Sequence, residues 1–222
     1  MALITDYGSL KTEVIGWAHD DEATDSVVST CVQLAETYLT QELRTVNQQQ
    51  STTLTLTAAT QTVAAPTGFV EHISLNYADQ SGWPKQVSQT AILDSRDTMQ
   101  SSGRPSYYCI NADNSFAFER PASTDYSLTL VYYKRFDLAT DTTNWLLTNH
   151  PNVYFWATLQ EVASYLRNQN LLQFCHEADG SNKRNAQVAA VIHRDARARR
   201  GATLRVDPAL MPRATFDIMR GY

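Results

Sequence analysis

Cysteine is scarce: the 222-residue chain has three, Cys31, Cys109 and Cys175, far apart and odd in number. That is too few for a disulfide framework, and the spacing matches no zinc site. Glycine is scarce as well, at eight residues. Neither phosphate-cradling pattern, G-x-x-x-x-G-K or G-x-G-x-x-G, occurs, and neither does the G-x-S-x-G turn of a hydrolase nucleophile. The five histidines (His19, His72, His150, His176 and His193) never stand at i, i+4 about a glutamate, which excludes a zinc-protease helix. No run of about eighteen apolar residues occurs, so a membrane-spanning helix is not expected. The opening Met1-Ala2-Leu3-Ile4-Thr5-Asp6 carries neither the basic nor the apolar region of a secretion signal. These absences predict a soluble globular protein of a reducing compartment, with no catalytic residue, metal or cofactor.

What the chain does hold is 43% hydrophobic and 10% aromatic residues against 18% charged. That is enough for a sizeable core and too apolar for a disordered chain. The formal net charge of −5 is unevenly spread. From Lys183 to Tyr222 stand nine basic residues against Asp195, Asp207 and Asp217, a net +6, which leaves −11 on residues 1–182. An acidic body with a basic C-terminal arm favours an oriented partner or nucleic acid over a free small-molecule enzyme.

Hydrophobic periodicity divides the chain in three. Leu10, Val14, Ile15 and Trp17 recur at helical spacing behind a cap at Thr5 or Asp6. Val27, Val28, Cys31, Leu34, Ala35, Tyr38, Leu39 and Leu43 form a second stripe, capped by Thr24 or Asp25. Near Thr45 the period drops to two. Thr53–Thr57 alternates, with 61–64 as its expected return strand, and Phe69, Ile73, Leu75 and Tyr77 share a face. Tyr108 and Ile110 are expected to pair with Phe116 and Phe118 across the 111–114 turn, and Tyr126, Leu128, Leu130 and Tyr132 line the last strand. Helix returns near Thr143. Pro151 suits a helical N1 position, and Val153, Tyr154, Ala157, Leu159, Val162 and Leu166 make a broad apolar face. A segment from 169 to 200, divided at Gly180, turns Leu171, Leu172, Cys175, Val188, Ile192 and Ala196 inward. The predicted fold is α+β: a helical body from 1–44 and 138–200, a small β-sandwich or barrel at 45–137, and an extended arm at 201–222.

Three groups of residues are candidates for function. His19, Asp20, Asp21, Glu22 and Asp25 could converge on a metal, which would suit a metal-dependent hydrolase. They lack the glycine and the alternate spacing of a calcium loop and read better as an interhelix loop. The pairs Tyr107-Tyr108 and Tyr132-Tyr133 each face both sides of a strand, which suits sandwich packing better than base stacking. The arginines Arg194, Arg197, Arg199 and Arg200 have three readings. They complement a helix C-terminus, dock an acidic protein, or contact nucleic acid, the last with salt-dependent affinity.

The order and spacing of several short motifs resemble a tailed-phage family. Gly103-Arg104-Pro105 is followed by Tyr107-Tyr108, then by Leu130 to Tyr133, then by Asn144-Trp145-Leu146-Leu147-Thr148-Asn149-His150-Pro151, and finally by Asp195-Ala196-Arg197-Ala198-Arg199. With the opening hairpin that ends in Glu42-Leu43-Arg44, they resemble the head-to-tail adaptor (connector) family over roughly residues 5–200. The resemblance implies a structural virion protein at the head-to-tail junction, synthesised in the host bacterial cytoplasm. It also implies a homo-oligomeric ring, usually dodecameric, that joins the portal protein to tail tube, nozzle or tail-fibre proteins. DNA passes through the lumen without sequence-specific binding, and no membrane is involved. The alternative is a nucleic-acid-binding accessory protein that uses the basic helix end.

The arm itself is informative. Pro208 and Pro212 forbid a continuous helix. Leu204, Val206, Leu210, Met211, Phe216, Ile218 and Met219 are too apolar for a solvated tail and too few for a core of their own. The expected portal-docking or partner-docking residues are therefore Arg194, Arg197, Arg199, Arg200 and Arg205, with Leu210, Met211, Phe216 and Ile218. The arginines would add electrostatic steering.

Overall fold

Asp6 starts the first helix by accepting the Ser9 backbone N–H, while the Ser9 hydroxyl accepts the Asp6 N–H in return. This reciprocal pairing satisfies two amides that the first turn leaves orphaned. In the computed structural model, which describes residues 3–79, 82–98, 101–176 and 180–201, α1 spans Tyr7–Ala18 and α2 spans Asp25–Glu42, the latter capped by Thr24. Leu10 and Val14 of α1 and Val28, Cys31, Val32, Ala35 and Leu39 of α2 are buried. Leu34, expected inside, is 54% exposed. It lies at the margin of a stripe whose centre is set by Cys31, Ala35 and Leu39.

A short 3-10 turn at Val46–Gln48 leads into the strands. These are β1 Gln49–Leu56, β2 Thr62–Val63, β3 Phe69–Tyr77, β4 Lys85–Gln86, β5 Tyr107–Ile110, β6 Phe116–Phe118 and β7 Tyr126–Lys134, with helix α3 at Gln89–Thr98. Among the described residues they form two sheets, ordered β1-β7-β3 and β2-β6-β5-β4. The sheets enclose Leu54, Leu56, Leu75, Tyr77, Tyr108, Phe116, Phe118, Leu128, Leu130 and Tyr132. The module is thus a sandwich and not a closed barrel. Tyr108 faces Phe118 and Ile110 faces Phe116, in the register expected.

Two expectations for the strands fail. Residues 62–63 pair with β6, not with β1, whose partner along its whole length is the distant β7. Ile73 is 41% exposed. Bulges between Phe69 and Glu71 and between His72 and Ser74 shift the register of β3, and each one-residue slip sends the following side chains to the other face. Leu75 and Tyr77 therefore join the core without Ile73.

Helix resumes at α4, Leu138–Asp141, a few residues earlier than the periodicity near Thr143 suggested. Then come α5 Trp145–Asn149, α6 Pro151–Tyr165, α7 Gln169–Phe174 and α8 Lys183–Gly201. Pro151 opens α6 as expected. Tyr154, Phe155, Ala157, Leu159, Val162 and Ala163 join α1 and α2 in a second core. Gly180, at φ +83°, lies in the segment that separates α7 from α8, a backbone region that glycine enters without strain. On α8 the inward residues are Val188 and Val191, and Ile192 is 41% exposed. No helix among the described residues is long and apolar enough to cross a membrane.

Candidate docking interface

Helix α8 is pinned by its first turns. Arg184 pairs with Glu161 of α6 at 2.7 Å and lies 3.9 Å above the Tyr38 ring of α2. Lys183 donates to the Phe174 carbonyl at 2.7 Å and stands over the Trp156 and Phe174 rings at 4.4 and 4.2 Å. Two of the nine basic residues of the C-terminal segment are thus engaged inside the fold.

Further along α8 the basic side chains turn outward. Arg194 and Arg197 are exposed. Arg194 Nη1 lies 3.2 Å from His150 Nδ1, and because guanidinium only donates, the imidazole accepts. Burial, and secondarily the Arg194 charge, hold His150 below its usual pKa and favour the neutral ring. The Asp195 carboxylate accepts the Val46 N–H at 3.3 Å, joining α8 to the turn that leads into β1. The side chains of Arg199 and Arg200 lie outside the described residues, as do Arg205, Leu210, Met211, Phe216 and Ile218. The structure therefore brings Arg194 and Arg197 to one exposed helix end, and the remaining expected docking residues follow them in the chain.

Between α8, α5 and the 45–47 turn lies a cleft of about 450 Å³, with Val46, Val191 and Ala198 on its walls and Arg194 and Asp195 at its border. Thr45 and Trp145 also line it. Among the described residues, the buried Thr45 Oγ1 and Trp145 Nε1 have no hydrogen-bond partner. Periodicity gave no sign of this cleft, because its walls come from three segments far apart in sequence.

Asp20 and Asp25 of the acidic loop are engaged in local structure. Asp20 Oδ1 accepts the Glu22 N–H at 2.9 Å, Thr24 caps α2, and Lys11 bridges to Asp25 at 2.7 Å. Among the described residues, no group of three or more His, Cys, Asp or Glu side chains is placed to hold a metal. In the Gly103-Arg104-Pro105 motif, the Arg104 guanidinium lies 3.8 Å over Tyr77 and pairs with Asp79 at 3.1 Å. The Tyr77 hydroxyl donates to the Pro105 carbonyl. This motif binds the 103–105 loop to the three-stranded sheet. Glu119, fully buried, accepts the Ser106 N–H at 3.0 Å and so fixes the same loop to the four-stranded sheet.

Asn144 likewise works within the fold. Its side chain caps α5 by accepting the Leu147 N–H at 2.9 Å and donates to the Tyr154 hydroxyl at 2.7 Å. Arg104 and Asn144 are thus internal joints, whereas Arg194 and Arg197 on α8 are exposed. A comparison with curated proteins finds no match. The sequence pattern of the SU10 adaptor protein family matches residues 5–207, a span that takes in both cores and the whole of α8. The chain belongs to the SU10 adaptor protein family, a phage head-to-tail adaptor family.

Proposed function

We propose that this protein is a structural component of the virion that assembles into a ring, dodecameric by expectation, between the portal and the tail. The family match over residues 5–207 carries this reading. In it, the helical body built on 1–44 and 138–200 packs subunit on subunit, and the β module of 45–137 faces the tail. DNA crosses the lumen without being read. The C-terminal arm, with Arg194, Arg197, Arg199, Arg200 and Arg205 and the apolar Leu210, Met211, Phe216 and Ile218, is the portal-docking element. The exposed arginines at the end of α8 support that placement, since charge at the rim of an interface speeds and orients encounter.

The nucleic-acid alternative has less support. Lys183 and Arg184 are held in internal contacts, and Asp195 interrupts the arginine row. Mixing the purified chain with the portal protein of the same phage and imaging the product by electron microscopy tests the proposal. A ring seated on the portal is expected. A monomer that ignores portal but binds DNA with steep salt dependence would replace it with the alternative.

A further inference from the structure

The cleft beside α8 has the chemistry of a seat for extended polypeptide. Its walls offer apolar contact through Val46, which is 48% exposed, and through Val191 and Ala198. Thr45, only 2% exposed, and Trp145 line it as well. Apolar side chains on alternate residues of a bound extended segment would cover the walls.

We propose that residues 202–211 of the same chain turn back after Gly201 and occupy this cleft in the unassembled protein. Leu204 and Val206 would lie against Val46 and Val191. Reach supports this occupant. Val191 lies about 15 Å back along the helix from Gly201, at ~1.5 Å per residue, a distance that extended chain covers in about five residues. Leu204 and Val206 fall within that length. A tether this short gives an effective concentration in the mM range, so the chain's own arm outcompetes the arm of a second copy at micromolar protein. The cleft is then the resting place of the arm before assembly.

Cysteine chemistry on the full-length chain tests this cleanly, because Cys31, Cys109 and Cys175 are all buried. Val46→Cys, on the exposed rim, is labelled with iodoacetamide in the otherwise native chain and in one carrying Leu204→Asp and Val206→Asp. Labelling about tenfold slower in the native arm is the expected result, and equal rates overturn the proposal. Oxidising dilute Val46→Cys/Val206→Cys protein supplies the second reading. A link within one chain is expected. A link found only between chains assigns the cleft to a second copy and overturns the proposal.

Discussion

The Glu36 carboxylate of α2 accepts the Leu138 backbone N–H at 2.7 Å, which ties the N-terminal hairpin to the first helical turn after the sandwich. The Tyr154 hydroxyl of α6 lies 3.4 Å from the same oxygen. Glu36 is 5% exposed. Burial pushes its pKa up to about 7 against the hydrogen bond from Leu138, which acts to lower it.

The pH dependence follows from that shift. Between the unfolded value of about 4.5 and the folded value of about 7, the native protein holds a proton that the unfolded chain has released. This contribution to stability is fully present below the lower value and is lost as pH rises through the upper one, to a total of about 3 kcal/mol. Glu36→Gln keeps an acceptor for Leu138 and removes the titration. Urea midpoints measured from pH 4.5 to 8 should fall more steeply for the wild-type chain than for Glu36→Gln. Parallel curves would show that Glu36 is not the group responsible.

Arg104 should resist conservative exchange. Its planar guanidinium covers Tyr77 at 3.8 Å while pairing with Asp79. An ammonium reproduces the charge but not the stacked plane. Arg104→Lys and Arg104→Ala should both lower the thermal midpoint, with Arg104→Ala costing about 1–2 kcal/mol. A lysine variant as stable as wild type would mean that the ion pair, not the stacking, holds the loop.

Asp21 and Glu22 are exposed in the α1–α2 loop. Replacing either with alanine should change stability by no more than ~0.5 kcal/mol and leave assembly intact. Calorimetry and size-exclusion chromatography check this, and an assembly defect from either change alone would give the loop a role it is not assigned here.

The helices were legible because their signals are local. Asp6 and Thr24 announce their caps within three residues, and the stripe through Cys31, Ala35 and Leu39 follows a single face. The buried role of Glu36 was not legible, because its partner Leu138 lies too far along the chain to be read from periodicity. The strands were legible as strands but not in their pairing. The β1–β7 ladder joins residues 49–56 to 126–133, and no local pattern encodes that match. The bulges of β3 hide in the same way, since alternation assumes an unbroken register and so placed Ile73 inside. On α8 the inward face was misassigned by one position, Val191 for Ile192, because its apolar residues Val188, Val191 and Ile192 admit two faces. The cleft beside α8 depends on Thr45, Trp145 and Val191 meeting, which only the tertiary fold arranges.

Deleting residues 202–222 should leave both cores folded, because among the described residues the buried ones that build them lie between Leu10 and Val191. Circular dichroism should therefore be near native while portal binding is lost. A truncated chain that binds portal as well as the full chain would remove the arm from the docking account.

Native mass spectrometry of the full-length chain, alone and with the portal protein of its phage, tests the adaptor reading most directly. A closed oligomer, dodecameric by expectation, should form alone or on the portal and add to it as one complete ring. A chain that stays monomeric and leaves the portal mass unchanged would contradict it.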